Sequence, residues 1–290
     1  MRRVLVLLLP LTLAAGGARA QHAAVWDSVG RILQASPTLA SGYVRYTFPR
    51  RDLTVRVGDV TLSPRLALLA WAGFSGPSPA ATLMGQLVVT ERELLPVQVA
   101  IDSQRLNVTA IHHHLLGEAP RLIYVHVHGV GPAVDLARRL DRVLARTATP
   151  RGVAAPATAT VTIDTAAVFQ ALGARGSASG SVAQLGFVLV STPVTLHRAA
   201  LVPAMAYGSP VTLQAVTPDR FVATGDFAVA GERVAPLIGA LAASGITATA
   251  VHNHLIGEAP SVYHVHFWAD GAPDAVLAGL KAALDTGRGP

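Results

Sequence analysis

Residues 111–129 read IHHHLLGEAPRLIYVHVHG, and residues 251–268 read VHNHLIGEAPSVYHVHFW. The second stretch repeats the first at a displacement of 140, and together they hold nine of the eleven histidines in a 290-residue chain. Outward from these stretches the displacement persists. MGQLVVTERELLPVQVAI (84–101) lies over TGDFAVAGERVAPLIGAL (224–241), and LNVTAIHHHLLGEAP (106–120) over ITATAVHNHLIGEAP (246–260). Farther upstream VTLSPRLALLAWAGF (60–74) matches VTLHRAALVPAMAYG (194–208) more loosely, at a displacement of 134. A unit of about 125 residues is thus written twice, a length that suits a domain or half-domain and exceeds a solenoid unit.

Each copy has the same order of elements. DSVGRILQA and DTAAVFQAL begin with capping residues and space their apolar residues as short helices do. YVRYTF and LTVRV alternate in period two, as half-buried strands do. ATLMGQLVV reads as a strand leading into a helix from Thr90 to about Ser103. LNVTAIHHH and RLIYVHVH read as strands, and GPAVDLARRLDRVLAR and GAPDAVLAGLKAALD as closing amphipathic helices. The expectation is an α+β fold: two tandem β/α repeats, antiparallel sheets covered by helices, related by a pseudo-twofold axis.

The boundaries follow. MRRVLVLLLPLTLAAGGARA (1–20) has the basic start, apolar run and small-residue end of a secretory signal peptide. Repeat 1 is expected over 21–146, a Pro/Ala/Thr-rich linker over 147–160, and repeat 2 over 161–290. Beyond the leader no segment is long and apolar enough to cross a bilayer, so a secreted or periplasmic protein is expected. The chain has no cysteine, which excludes disulfides, a lipid-attachment cysteine and thiolate metal sites. The formal charge of +6 includes Arg2, Arg3 and Arg19 and falls to +3 without the leader. No basic run interleaved with aromatics occurs, which argues against nucleic acid as a partner.

On a strand, residues i and i+2 share a face. His112 with His114, His126 with His128, His252 with His254, and His264 with His266 therefore pair up. The short Gly- and Pro-containing LLGEAP connection favours a hairpin. In an antiparallel pair with an even register sum, all these even-numbered histidines face one way. The register joining His252 to His266 and His254 to His264 makes a square of imidazoles, with Cβ atoms about 5 Å apart across the pair. Glu118 and Glu258, where the connection turns, are expected to swing over the same face as oxygen donors. The candidate metal ligands are His112, His114, Glu118 and His126 in one repeat and His252, His254, Glu258 and His266 in the other. Three imidazoles and a carboxylate suit a divalent transition metal, with Zn, Mn and Fe the leading ions. Glu118 and Glu258 are also the candidate general bases.

Other positions break the match between copies. His113 is replaced by Asn253, Tyr124 stands where His264 is, and Trp268 where His128 is. These are expected to support the ligands or to make the two sites differ. His22 and His197 are isolated, and the Asn107-Val108-Thr109 sequon lies in an expected strand, where it carries little weight.

The metallo-β-lactamase pattern fails, because Leu116 and Gly117 occupy its Asp-His positions, and a zincin His-Glu-x-x-His is absent. The cupin spacing fits HHHLLGE, but the flanking cupin glycines are missing. The chain more closely resembles the LppY/LpqO-type family of exported bacterial proteins. The resemblance rests on TGDFAVAGERVAP with VHNHLIGEAP and HVHFW, more loosely on MGQLVVTERELLP with IHHHLLGEAP, and on GYVRYTFPRRDLTV near the start. It implies paired His/Glu sites and no particular reaction. Many members look like lipoproteins, a feature this cysteine-free chain lacks. Three functions remain open: an exported metal-binding protein with one site per repeat; a metal-dependent hydrolase or oxygenase acting on a small molecule; and a non-catalytic module that binds a cell-envelope component and uses its histidines structurally.

Overall fold

The computed structural model describes residues 24–40, 42–152 and 161–289. The leader expected over 1–20 lies outside the described residues, as does most of the expected linker (153–160). In order, the first repeat contains α1 (24–33), β1 (Thr38–Ala40), β2 (Tyr43–Pro49), β3 (Arg56–Val57), β4 (Val60–Thr61) and β5 (Leu69–Ser75). These are followed by β6 (Ala81–Thr90), α2 (Glu91–Ser103), β7 (Asn107–His112), β8 (Glu118–Ala119), β9 (Leu122–Gly131) and α3 (Ala133–Leu144). The second repeat contains α4 (Thr165–Leu172), β10 (Gly176–Ser179), β11 (Val182–Phe187), β12 (Thr195–Leu196), β13 (Ala199–Ala200) and α5 (Pro203–Ala206). It closes with β14 (Ser209–Thr217), β15 (Arg220–Val229), α6 (Gly231–Ala243), β16 (Thr247–His252), β17 (Glu258–Ala259), β18 (Tyr263–Gly271) and α7 (Pro273–Arg288).

The expected α+β duplication is present. Each repeat builds a six-stranded antiparallel sheet, ordered β1-β2-β5-β6-β9-β7 in one and β10-β11-β14-β15-β18-β16 in the other. The helices begin where the caps are. Thr90 closes a capping box with Glu93 at the head of α2, and the Asp164 carboxylate accepts the Ala167 N–H at the head of α4, 3.1 Å away. LTVRV departs from expectation. Only Arg56–Val57 is extended, in a ribbon with Val60–Thr61 that turns at Gly58, whose φ of +57° suits glycine.

Period-two alternation gives each large sheet two distinct faces. On β15 and β18, Phe227, Val229, Val265 and Phe267 point one way into a core shared with Leu237, Leu241, Leu280 and Leu284 of α6 and α7. Each fully buried side chain of that kind contributes about 1.5–3 kcal/mol. The opposite face carries Asp226, His264 and His266 on β15 and β18, and Gln86, Tyr124 and His126 on β6 and β9. That face is buried too. Residues Leu122 to Gly129 of β9 are buried without a break, because helices cover one side and the other repeat covers the other.

The small ribbons exchange sides to make this cover. The Ser63 N–H and the Thr61 carbonyl, at the end of β4, bond the Gln214 carboxamide of the second repeat, 2.8 and 3.0 Å away. Reciprocally, Met205 of α5 packs on Gly73 of β5 and joins a cluster with Met84 of β6. These exchanges, and the imidazole contacts described next, relate the halves by a pseudo-twofold axis.

Candidate metal centre

After a bulge between Ala248 and Ala250 the register sum between β16 and β18 is even, so the histidines there share one face, but the pairing is shifted from the expected square. His252 lies opposite His264, and Ala250 opposite His266. The equivalent pairs in the first repeat are His112 with Tyr124 and Ala110 with His126. The shift arises because β7 and β16 end at His112 and His252. The chain then leaves the sheet, and the Gly-containing connection pairs Glu118–Ala119 with β3 and Glu258–Ala259 with β12.

That excursion occupies the two glutamates. The Glu118 carboxylate accepts the Leu122 N–H at 3.2 Å, and the Glu258 carboxylate accepts the Val262 N–H at 3.3 Å. The unmatched neighbours His113 and Asn253 do the same job as each other. The His113 ring contacts the Leu122 carbonyl at 3.3 Å, and the Asn253 amide donates to the Val262 carbonyl at 2.7 Å. Glu118 and Glu258 thus brace the connections and are not drawn into the imidazole cluster.

The six matched histidines are brought together, and they converge across the repeats instead of forming one group per repeat. His112 and His252 stack on each other with ring centroids 3.6 Å apart. His114 meets His266 at 3.9 Å, and His126 meets His254 at 4.0 Å. The last two contacts exchange under the 140-residue displacement, and the first maps onto itself. His112, His252, His254 and His266 each offer a donor atom within 4.8 Å of the others. A second group joins His254 to Asp226 and His264 under the same limit.

Asp226 and His264 were not among the expected ligands, yet with His254 they form a group that could hold an ion. Asp226 sits on β15 opposite His266 of β18. Its Oδ2 accepts from Nδ1 of His264 at 2.8 Å and lies 3.5 Å from Nε2 of His254. The signal was the acid of TGDF, one strand away and in phase with the histidines. Its partner under the displacement is Gln86, and that of His264 is Tyr124, so comparing the copies screened both out. In the first repeat the carboxylate and second imidazole are replaced by an amide and a phenol. The Tyr124 hydroxyl donates to the Ala67 carbonyl at 3.0 Å.

The electrostatics favour a neutral imidazole wall. Burial first, and then the charge of neighbouring imidazoles, pushes His112, His114, His126 and His254 below the usual histidine range. His266 is lowered by burial against the opposing pull of Asp226, and His252 is lowered to about 3 by burial and His266. Burial alone would raise Asp226, but His264 and His266 outweigh it and hold the carboxyl at about 2. Nδ1 of His266 faces the Gly225 carbonyl at 2.9 Å, which places the proton there and leaves a bare lone pair on Nε2.

The decisive observation is that Nε2 of His112, His114, His126, His252, His254 and His266 is buried without a hydrogen-bond partner. Each orphaned polar atom costs about 1–3 kcal/mol. Six together rival the about 5–15 kcal/mol by which a typical domain is stable. Four of these imidazoles place a donor atom within 4.8 Å of one another, and a carboxylate joins the adjoining group, an arrangement that could hold a metal ion.

Two α+β repeats closing over a shared wall of buried histidines define a tandemly duplicated, histidine-centred domain protein. The chain belongs to the family described as Domain of Unknown Function (DUF1259), DUF1529, which matches residues 27–146 and again 166–286. No curated protein matches it. Among solved structures it is similar to EtuB from Clostridium kluyveri, at 13% identity over 88% of this chain and 90% of that one, with a TM-score of 0.22. It is also similar to the double ringed trimeric shell protein MSM0271 from the RMM microcompartment, at 11% identity over 73% and 83%, with a TM-score of 0.19. Likenesses this slight carry no weight for function.

Proposed function

We propose that this is an exported protein of LppY/LpqO type that binds a divalent transition metal at one composite centre, built from both repeats. His112, His252, His254 and His266 are the ligands proposed for the ion, and Asp226 with His264 provides the acid side of the centre. The single observation that supports this reading is the set of six buried imidazoles whose Nε2 atoms make no hydrogen bond, four of them with donor atoms within 4.8 Å of one another. Structural histidines are hydrogen-bonded when buried, so the same atoms weigh against a module that uses them only for support. A donor set dominated by imidazole favours zinc or iron over manganese among the expected ions. Export rests on the leader pattern of residues 1–20.

Elemental analysis of the untagged mature protein tests metal binding, with zinc or iron expected near stoichiometry. The double variant His252→Ala/His266→Ala is expected to lose it, while Asp226→Asn weakens it. Absence of bound metal in wild type, or full retention in the double variant, overturns the reading.

A metal-dependent hydrolase or oxygenase is the second reading. It is supported by a cavity of about 700 Å³ that reaches His114, His126, His254 and His266, a size that holds a small molecule. In that reading Asp226, which lines the cavity, replaces Glu118 and Glu258 as the acid–base candidate.

A further inference from the structure

We propose that the cavity between the two open sheet faces binds an organic anion with a flat apolar body, its carboxylate held by Arg45. The walls are mostly apolar, with Leu69, Trp71, Phe187 and Met205 among them. The charged residues of the lining are Arg45, Arg65 and Asp226. Asp226 is already engaged by His264, and Arg65, exposed, bonds the Gln184 carboxamide at 3.3 Å. Arg45 is different. It projects from β2 over the indole of Trp71, with its guanidinium carbon 4.5 Å from the ring centroid. Its Nε is buried with no hydrogen-bond partner, and it forms no ion pair among the described residues.

Two other arginines show what a matched guanidinium looks like here. Arg50 is held by Asp52 and Glu93, and Arg151 by Asp141. Arg45 has no acid among the described residues: burial lowers its proton affinity, and the side chain that meets its guanidinium is the Tyr43 phenol, a neutral partner. A guanidinium in an apolar recess, backed by an aromatic face and lacking an internal carboxylate, is built to receive one from outside. Trp71 backs the guanidinium, and Leu69, Phe187 and Met205 offer apolar contact to the remainder of the ligand. The proposal uses no imidazole to hold the anion, so it stands apart from the metal reading.

Calorimetric titration with phenylbutyrate and its uncharged amide tests it, on chelator-treated and zinc-loaded full-length protein. The acid is expected to bind saturably in both forms and more tightly than the amide. Arg45→Gln is expected to weaken the acid roughly tenfold to a hundredfold and the amide little, the scale of one lost charge-assisted hydrogen bond. Arg45→Lys restores part of the loss. Circular dichroism and metal content of Arg45→Gln, unchanged from wild type, establish that the variant is folded. No saturable binding of the acid at millimolar concentration, an amide that binds as well as the acid, or Arg45→Gln within about twofold of wild type overturns the proposal. A protein that binds phenylbutyrate as described but no metal removes the metal reading and leaves this one standing.

Discussion

Replacing His112 with alanine separates a composite centre from two independent ones, because it removes a first-repeat side chain from a group whose other three members lie in the second repeat. Structural zinc sites with four ligands are worth about 10–16 kcal/mol, or about 2.5–4 kcal/mol per ligand. Loss of one should weaken binding roughly a hundredfold to a thousandfold. Metal present at a hundred times the dissociation constant stabilises the fold by about 2.7 kcal/mol. Most of that vanishes in the variant, which lowers the melting midpoint by about 5–11 °C at fixed metal. Without metal the variant should melt close to wild type, since truncation also removes a buried nitrogen that lacks a partner. Competition against a chromophoric chelator gives affinity and stoichiometry, and thermal denaturation with and without metal gives the stability. A stoichiometry that falls by half, with the remaining ion held at wild-type affinity, refutes the composite centre.

Gln86→Asp with Tyr124→His rebuilds in the first repeat the acid and imidazole that the second repeat carries; elemental analysis should find more metal per chain than in wild type, and an unchanged content counts against the equivalence. Metal-free protein should lose stability as pH falls below about 6.5, because the unfolded chain then takes up protons that the buried imidazoles refuse. Each such group contributes about 1.4 kcal/mol per pH unit, for His252 down to about 3. Denaturant melts between neutral and mildly acidic pH that superimpose would contradict this. Arg50→Met leaves Asp52 and Glu93 without the cation that bridges them at 2.8 Å each; the expected cost is about 3–5 kcal/mol, read as a lower melting midpoint with metal content preserved.

Much of this architecture was legible because its signals are local or periodic. The displacement of 140, the capping residues Thr90 and Asp164, and the alternation along β9 and β18 all depend on neighbours in sequence. His-x-His on two adjoining strands put the histidines on one face only on the condition of an even register, which the sequence left open. The exact pairing was not legible either, since it depends on where β16 stops, and the connection's excursion to β12 is a tertiary contact. Nor does any local pattern reveal that His112 will stack on His252. Matching the copies drew attention to Glu118 and Glu258, which are shared and brace both connections, and away from Asp226 and His264, which are unshared.

The axis relating the repeats has a consequence for how such a centre is inherited. A half-length chain would possess no imidazole wall until two identical molecules met face to face, and each would then carry the same residues at every position. Covalent fusion lifts that constraint, so one half is free to hold a phenol and an amide where its twin keeps an imidazole and an acid. A true homodimer has no access to that lopsided arrangement.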